Sequence, residues 1–236
     1  MRVLITRPQP DADELAARIA SMGHTAFIEP LLNIVFEQGP ELDLRQTQAL
    51  IFTSANGVRA TAKRTHDRKI LTIAVGPVTA AQARAEGFQN IEQSAGEGVD
   101  GLVAFIRTNH DPEMGRLLHV TGSHVAGDLV GNLSQIGFNT ETRKLYDALP
   151  IETLSQELRI ELKMGMIAAS LFFSPRTSAL FSSLVQKAGL NNTCGIIAAI
   201  TLSPNVAKSL EPLTFRKLLV AQNATTEAMM KLLATL

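Results

Sequence analysis

The chain has 236 residues, 45% of them hydrophobic and 19% charged, enough to bury one large core or two of ordinary size. Its 22 basic residues balance 22 acidic ones, which excludes a general attraction to nucleic acid or anionic membrane, so a polyanionic ligand would need local donors. The one cysteine, Cys194, excludes an intrachain disulfide framework and a cysteine-rich metal site and suits a reducing compartment. The opening MRVLITRPQPDAD holds too short an apolar run for a signal peptide, and no uncharged stretch is long enough to cross a bilayer; a cytoplasmic protein is expected.

In chain order, Val3 to Thr6 reads as a buried parallel strand ended by Arg7 and Pro8. Asp11 or Asp13 can cap a helix with the stripe Leu15, Ile19, Met22, stopped at Gly23. Thr25 to Phe36 reads as one long strand running through Pro30, which suits an edge position. After the turn Gln38–Gly39–Pro40 the pattern restarts. Leu50 to Phe52 is a strand and Thr53 to Gly57 a small-polar turn into a helix; Ile70 to Val75 is a strand, and Gly76 and Pro77 turn the chain into an Ala-rich helix ending at Gly87. A short strand near Ile91 and the loop GEGVDG follow, then helix Leu102 to Thr108, strand Leu117 to Thr121, loop Gly122 to Gly127, helix Leu129 to Ile136, and a strand Thr140 to Ile151 that carries Tyr146, the only tyrosine. Beyond Pro150 come strand Ser170 to Phe173 and helix Ala179 to Ala188, strand Ile196 to Ile200 and helix Val206 to Leu210, strand Lys217 to Ala221 and helix Glu227 to Leu233.

The chain repeats itself. Laying Arg2 on Arg116 also lays Leu4 on Leu118, Ala12 on Ala126, Leu15 on Leu129, Gly23 on Gly137 and Leu31 on Leu145, with no gap, and sets Tyr146 where the first copy has Leu32. LIFTSANG pairs with LFFSPRTS, AVGPVTAAQ with ITLSPNVAK, and GVDGLVAFI with ATTEAMMKL. The first two strands and the last three therefore complete one α/β domain, 1–36 with 148–236, into which a second, 37–147, is inserted. Thr25 to Phe36 and Thr140 to Ile151 cross between them, and as two extended segments they can pair into a connector that permits domain closure.

Chemistry is sparse. GEGVDG fits G-x-G-x-x-G, but its strand is weak, Asp100 would face a phosphate, and the matching QNATTE lacks the glycines, so a dinucleotide site is disfavoured. His24, His66, His110, His119 and His124 have no metal spacing; His119 reads as a strand residue and His124 as loop polarity. No serine sits in a G-x-S-x-G elbow. What accumulates is a set of small hydroxyls where strands end and helices begin: Thr6, Ser54, Thr79, Thr121, Ser174, Ser203 and Thr225. Each alone reads as a helix cap. Together, at the carboxyl edges of two parallel sheets, they describe a cleft of anion donors for a large ligand with several carboxylates or phosphates.

VLITRPQPDADELAARI, GHTAFIEPLL, ALIFTSANGVRA, AVGPVTAA, GEGVDGLVAFI, LLHVTGSHVAGDL and LFFSPRTSALF, as an ordered set covering essentially the whole length, resemble bacterial members of the uroporphyrinogen-III synthase family. The resemblance implies two flavodoxin-like, doubly wound parallel-sheet α/β domains joined by a two-stranded connector, with the site between them. It also implies cyclisation of the linear tetrapyrrole hydroxymethylbilane to uroporphyrinogen III, with loss of water and inversion of the last pyrrole ring, by a monomer using no metal or cofactor and no nucleic-acid or membrane partner. By motif match Tyr146 corresponds to the family's active-site tyrosine, and Ser54, Thr79 and Ser174 to polar cleft residues. Arg7, Asn56, Gly76, Thr121, Gly122, Arg176, Asn205 and Thr225, on the same strand-end turns, complete the candidate substrate-binding set. LSPNVAK departs from the pattern: Asn205 and Val206 stand where relatives often carry a threonine, which leaves Asn205 as the donor of that turn. The pyrrole nitrogens push out the terminal hydroxyl, so the protein's main task is to fold the substrate; a phenol, protonated at neutral pH, can donate to the departing hydroxyl. A non-enzymatic two-domain anion-binding module is the alternative that fits the same topology.

Overall fold

Short apolar runs alternating with amphipathic stretches fold as strands and covering helices in a computed structural model that describes residues 1–94, 98–124 and 127–236. The elements are β1 (Arg2–Ile5), α1 (Asp11–Ser21), β2 (Thr25–Ile28), β3 (Leu32–Phe36), β4 (Thr47–Phe52), α2 (Ala55–Ala62), β5 (Leu71–Val75), α3 (Gly76–Ala85), β6 (Ile91–Ser94) and α4 (Gly98–Asn109). They continue with β7 (Arg116–Gly122), α5 (Leu129–Gln135), β8 (Thr140–Pro150), α6 (Gln156–Lys163), β9 (Ile167–Phe172), α7 (Pro175–Lys187), β10 (Ala198–Thr201), α8 (Pro204–Lys208), β11 (Lys217–Val220) and α9 (Thr226–Leu233). Two compact units result: Met1–Asn33 with Leu149–Leu236, and Ile34–Ala148.

The first unit holds a five-stranded sheet in the order β11-β10-β9-β1-β2, every pair parallel. Counted within the unit and read from its other edge, that is the flavodoxin-like order 2-1-3-4-5. The second unit's sheet runs β3-β8-β7-β4-β5-β6. Taking β7 and β8 as the counterparts of β1 and β2, as the repeat demands, gives the same order, with the chain entering at the third strand. β3 lies on β8 at the edge. Ile151 N–H donates to Leu31 O and Glu37 N–H to Leu145 O, so numbers rise on one segment as they fall on the other and the pair is antiparallel.

Strict alternation splits each sheet's side chains between two faces. In the first unit Leu4 joins Phe172, Phe181 and Ile197 on one side, while Val3 and Ile5 join Leu171 and Ile200 on the other. In the second, Leu50, Phe52, Leu118 and Val120 pack on one face, and Ala49, Ile51 and Leu117 on the other. Each fully buried Leu, Ile or Phe contributes about 1.5–3 kcal/mol. Every one of these core clusters lies wholly within one unit.

The structure departs from the sequence expectation at four places. Thr25 to Phe36 is two strands, not one: the chain breaks at Glu29–Leu31, where Pro30 has no N–H for a ladder and the buried Glu29 carboxylate accepts the Ser155 N–H at 2.7 Å. Helix α6 is an addition to the expected elements; its polar QELRIELK face hides the stripe Leu154, Leu158 and Leu162 that packs into the core, and Ser155 caps it. Helix α4 begins at Gly98, so the end of GEGVDG is helix rather than loop, while Gly96 of that motif lies outside the described residues, as do Val125 and Ala126 of the Gly122–Gly127 loop. Neither Asp11 nor Asp13 caps α1: Pro10 holds that position, and Asp11, Asp13 and Glu14 fill the first turn, where carboxylates favour the helix dipole.

Candidate functional site

Tyr146 is positioned by an irregularity in β8. Lys144 pairs with Thr121, but the next pairing is Tyr146 with Gly122, so Leu145 is an extra residue in the register. A bulge of this kind re-aims side chains beyond it. Leu145 is buried, and Tyr146, which simple alternation would send to the opposite face, packs half-buried against the same apolar cluster. Its ring lies directly on Gly122, where a Cβ would come 2.6 Å from Cε2 and 2.7 Å from Cζ. Gly122 is therefore required by close approach rather than by a turn.

The phenolic oxygen reaches 2.9 Å from Ser54 Oγ. Ser54 stands between β4 and α2 with extended backbone, and its Oγ accepts the Gly57 N–H at 3.2 Å, so one hydroxyl both caps α2 and meets the tyrosine. Around this pair a cavity of about 290 Å3 opens at the carboxyl end of the second unit's strands. Thr53 and Ser54 line it from the end of β4, Val75 from β5, Thr121 and Gly122 from β7, His124 from the loop beyond, and Gly98 and Val99 from the start of α4. Three helices therefore begin at its wall, α2 after Ser54, α3 after Val75 and α4 at Gly98, and among the described residues that line it none is Lys or Arg. Such a wall offers hydroxyls and backbone dipoles to an anion.

Below the rim, His119 on β7 is buried, and its Nε2 lies 3.4 Å from Thr53 Oγ1. Burial depresses its pKa from 6.5 to about 4, so the ring is neutral at pH 7. Beside the tyrosine, hydrogen bonds from Lys144 and from Ser123 hold the Asp147 carboxyl below the usual range, and Lys144 is shared with Glu37 at 3.0 Å.

Of the residues expected from sequence in this unit, Ser54, Thr121, Gly122 and Tyr146 meet at the cavity; Asn56, Gly76 and Thr79 are not among its lining. Asn56 Oδ1 accepts from Arg59, whose other nitrogen reaches Gln82 Oε1 of α3 at 2.7 Å. Gly76 takes φ +77° to start α3, and Thr79 is buried inside that helix, whose N-cap is Val75. Thr53, Val75, Gly98, Val99 and His124 join the lining without having been expected there. The signal for Thr53 is its place next to Ser54 at the strand end, and the glycine motif does mark Gly98.

In the first unit the corresponding sheet edge carries Arg7, Ser174, Arg176, Asn205 and Thr225. Arg7 donates to Asp11 at 2.6 Å, and its guanidinium stacks 4.5 Å from the Phe173 ring centre. Ser174 accepts the Thr177 N–H and donates to Thr177 Oγ1 at 2.8 Å; Thr225 accepts the Ala228 N–H. Arg176 is half-buried in the first turn of α7. Asn205 is exposed in α8, whose N-cap, Ser203, makes no side-chain capping bond. These residues share one edge, and none of them lines the cavity at Tyr146.

The fold is shared with known enzymes. The structure titled uroporphyrinogen-III synthetase from Helicobacter pylori 26695 aligns over 100% of this chain and 99% of its own at 16% identity, with a TM-score of 0.64. A mutant uroporphyrinogen III synthase from Thermus thermophilus aligns over 100% and 98% at 15% identity, with a TM-score of 0.59. No curated protein sequence matches the chain. The family model described as uroporphyrinogen-III synthase HemD matches residues 13–231, nearly the full length, and the chain belongs to that family.

Proposed function

We propose that this family member cyclises hydroxymethylbilane to uroporphyrinogen III at the cavity around Tyr146, with the tyrosine as proton donor. The observation that carries the reading is the 2.9 Å contact between Tyr146 and Ser54 inside a pocket lined by hydroxyls and helix N-termini. In the arrangement competent for catalysis Ser54 Oγ, which accepts the Gly57 N–H, gives its own proton to Tyr146 Oη, and the phenolic proton is left for the substrate. Delivered to the terminal hydroxyl, that proton lets water depart as the pyrrole nitrogen pushes, leaving an electrophilic azafulvenium cation beside the phenolate. The resulting phenolate keeps the Ser54 O–H and the α2 N-terminus as stabilising neighbours, and it recovers its proton when the inverted ring recloses and loses one. Water is the only group lost overall, so the chemistry needs no redox partner.

A cavity of about 290 Å3 is at the lower end of small-molecule sites and holds part of a linear tetrapyrrole. Carboxylates of the remainder are assigned to Asn56, Gly76, Thr79 and Thr121 of the second unit, and Arg7, Ser174, Arg176, Asn205 and Thr225 are the first unit's own candidate anion-binding residues. A balanced net charge supports action without nucleic acid or anionic membrane, and a single, buried thiol suits the reducing cytoplasm; among the described residues no helix is long and apolar enough to span a bilayer. Hydroxymethylbilane generated in place, with type I and type III products separated, tests the reading. Type III product that survives chelation and dialysis supports it; type I alone, at the uncatalysed rate, overturns it.

A further inference from the structure

His119 stands out in β7 as the polar residue of an otherwise apolar LLHV run, and the proton-transfer scheme makes no use of it. Alternation sets Leu117, His119 and Thr121 on one face of β7, and Ala49 and Ile51 on the same face of β4, with Thr53 next in that alternation just past the strand's end. The ring thus occupies the layer between the apolar floor, where Ile51 and Leu117 pack, and the cavity rim, which Thr53 and Thr121 line. It is only 2% exposed. One nitrogen, Nε2, meets Thr53 Oγ1 at 3.4 Å; the other, Nδ1, has no hydrogen-bond partner among the described residues.

One contact and one unpartnered nitrogen select a tautomer. A neutral imidazole carries one N–H and one lone pair. With the proton on Nδ1, a buried donor is stranded, which proteins almost never tolerate; with the proton on Nε2, only an acceptor is left unpaired. Nε2–H then donates to Thr53 Oγ1, and this fills the side of the hydroxyl that faces the protein. The threonine proton has to go the other way.

We infer that His119 is a positioning residue that locks the Thr53 hydroxyl as a donor aimed into the cavity, where it holds a carboxylate of the tetrapyrrole substrate. The inference rests on the reading of this cavity as the cyclisation site. It adds a substrate contact, Thr53, and a buried group that acts only through it. A hydroxyl free to rotate would spend part of its time presenting lone pairs to the anion; a locked one does not. The 3.4 Å separation is long for such a bond and shortens when the anion draws on the hydroxyl and polarises it.

Two measurements test this on the full chain. The 15N shifts of the His119 ring in the unliganded protein should report the Nε2–H tautomer; the Nδ1–H tautomer overturns the inference, whatever the enzyme's activity. In kinetics, Thr53→Val should raise KM for hydroxymethylbilane about tenfold, as expected for losing one hydrogen bond to a charged group, with kcat within about twofold. His119→Leu should raise KM by a similar factor, His119→Gln, whose amide can still donate, should restore most of it, and His119→Leu should add nothing in the Thr53→Val background. Additive losses, or a loss in kcat alone, overturn the coupling. If His119→Leu does not fold, the tautomer and the Thr53→Val KM decide the matter. A wild-type protein making no type III product defeats the function itself and is read separately from any of these.

Discussion

At the scale of single residues, the site depends on one ring lying on one glycine. Tyr146→Phe removes a hydroxyl and no packing area, so fold and substrate affinity should be nearly unchanged while turnover falls. A positioned acid predicts a loss on the order of a hundredfold; one polar contact among several predicts about tenfold, equivalent to ~1.4 kcal/mol. Residual product should remain type III, because ring inversion belongs to the folded substrate pose. Unchanged turnover removes Tyr146 from the chemistry. Gly122→Ala should act on the same ring by steric means: its Cβ would sit 2.6 Å from the tyrosine, so ring or strand has to move. Denaturant midpoints should show a destabilisation of about 1–3 kcal/mol that largely disappears when Tyr146 is also truncated to Ala. A penalty that persists in the double variant would place the strain elsewhere.

At the scale of elements, the hydroxyls that mark strand ends divide into caps and non-caps, and sequence alone does not divide them. Ser54, Ser174 and Thr225 accept amide protons from the first turns of α2, α7 and α9. Ser203 does not, although it too precedes a Pro at the start of a helix. Thr6 donates to Leu171 O, and Thr79 sits inside its helix, because the φ +77° of Gly76 starts α3 earlier. Replacing Ser174 by Ala should therefore cost about 1 kcal/mol and Ser203 by Ala much less, as read from denaturant midpoints. Ser54→Ala should cost the same cap and also lower type III turnover, since it removes the partner of Tyr146; equal turnover in Ser54→Ala and wild type would separate the cap from the chemistry. Tyr146 itself is legible in the sequence as the lone polar-tipped aromatic at a repeated strand's exit. Its orientation is not, because the bulge at Leu145 reverses the alternation by which a strand is read. Helix α6 is hidden for a related reason: three buried leucines spread through a charged octapeptide and its lead-in give a weak signal.

At the scale of the whole molecule, the gapless repeat between Arg2 and Arg116 carries most of the fold, since it dictates that β7 and β8 play the parts of β1 and β2. The order of the second sheet becomes intelligible only as that of the first entered two strands late. Because no core cluster among the described residues is shared between the units, residues 34–148 expressed alone should fold with a cooperative thermal transition. A fragment that is helical but melts without a transition would mean that the pairing of β3 and β8 depends on residues beyond it.

Stability against pH also belongs to the whole molecule, because the perturbed groups are spread through both units and those that titrate in acid act in one direction. Burial lowers the pKa of His119 from 6.5 to about 4. Between those values the unfolded chain takes up a proton that the folded one refuses, so His119 is neutral to stability above about pH 6.5 and opposes folding increasingly as pH falls, by up to about 3 kcal/mol near pH 4. Asp147, held down by hydrogen bonds from Lys144 and Ser123, Asp43 by Arg45, and Glu227 by its own amide and Arg18 are depressed carboxylates. Their contribution is present above the ordinary carboxylate range and is lost as pH drops through and below it; Asp43 and Glu227 are exposed and Asp147 is partly so, and water screens them, so their share is small. Lys144, raised by Glu37 and Asp147, loses its contribution only on the alkaline side. The melting temperature should therefore be flat from about pH 7 to 9, fall from about pH 6.5 to 4, and continue downward more gently below that. His119→Gln, which cannot titrate, should remove most of the fall between pH 6.5 and 4 and leave the gentler fall beneath it. Parallel curves for the two proteins would show that another group takes up the proton, and that the His119 ring is already open to water in the folded state.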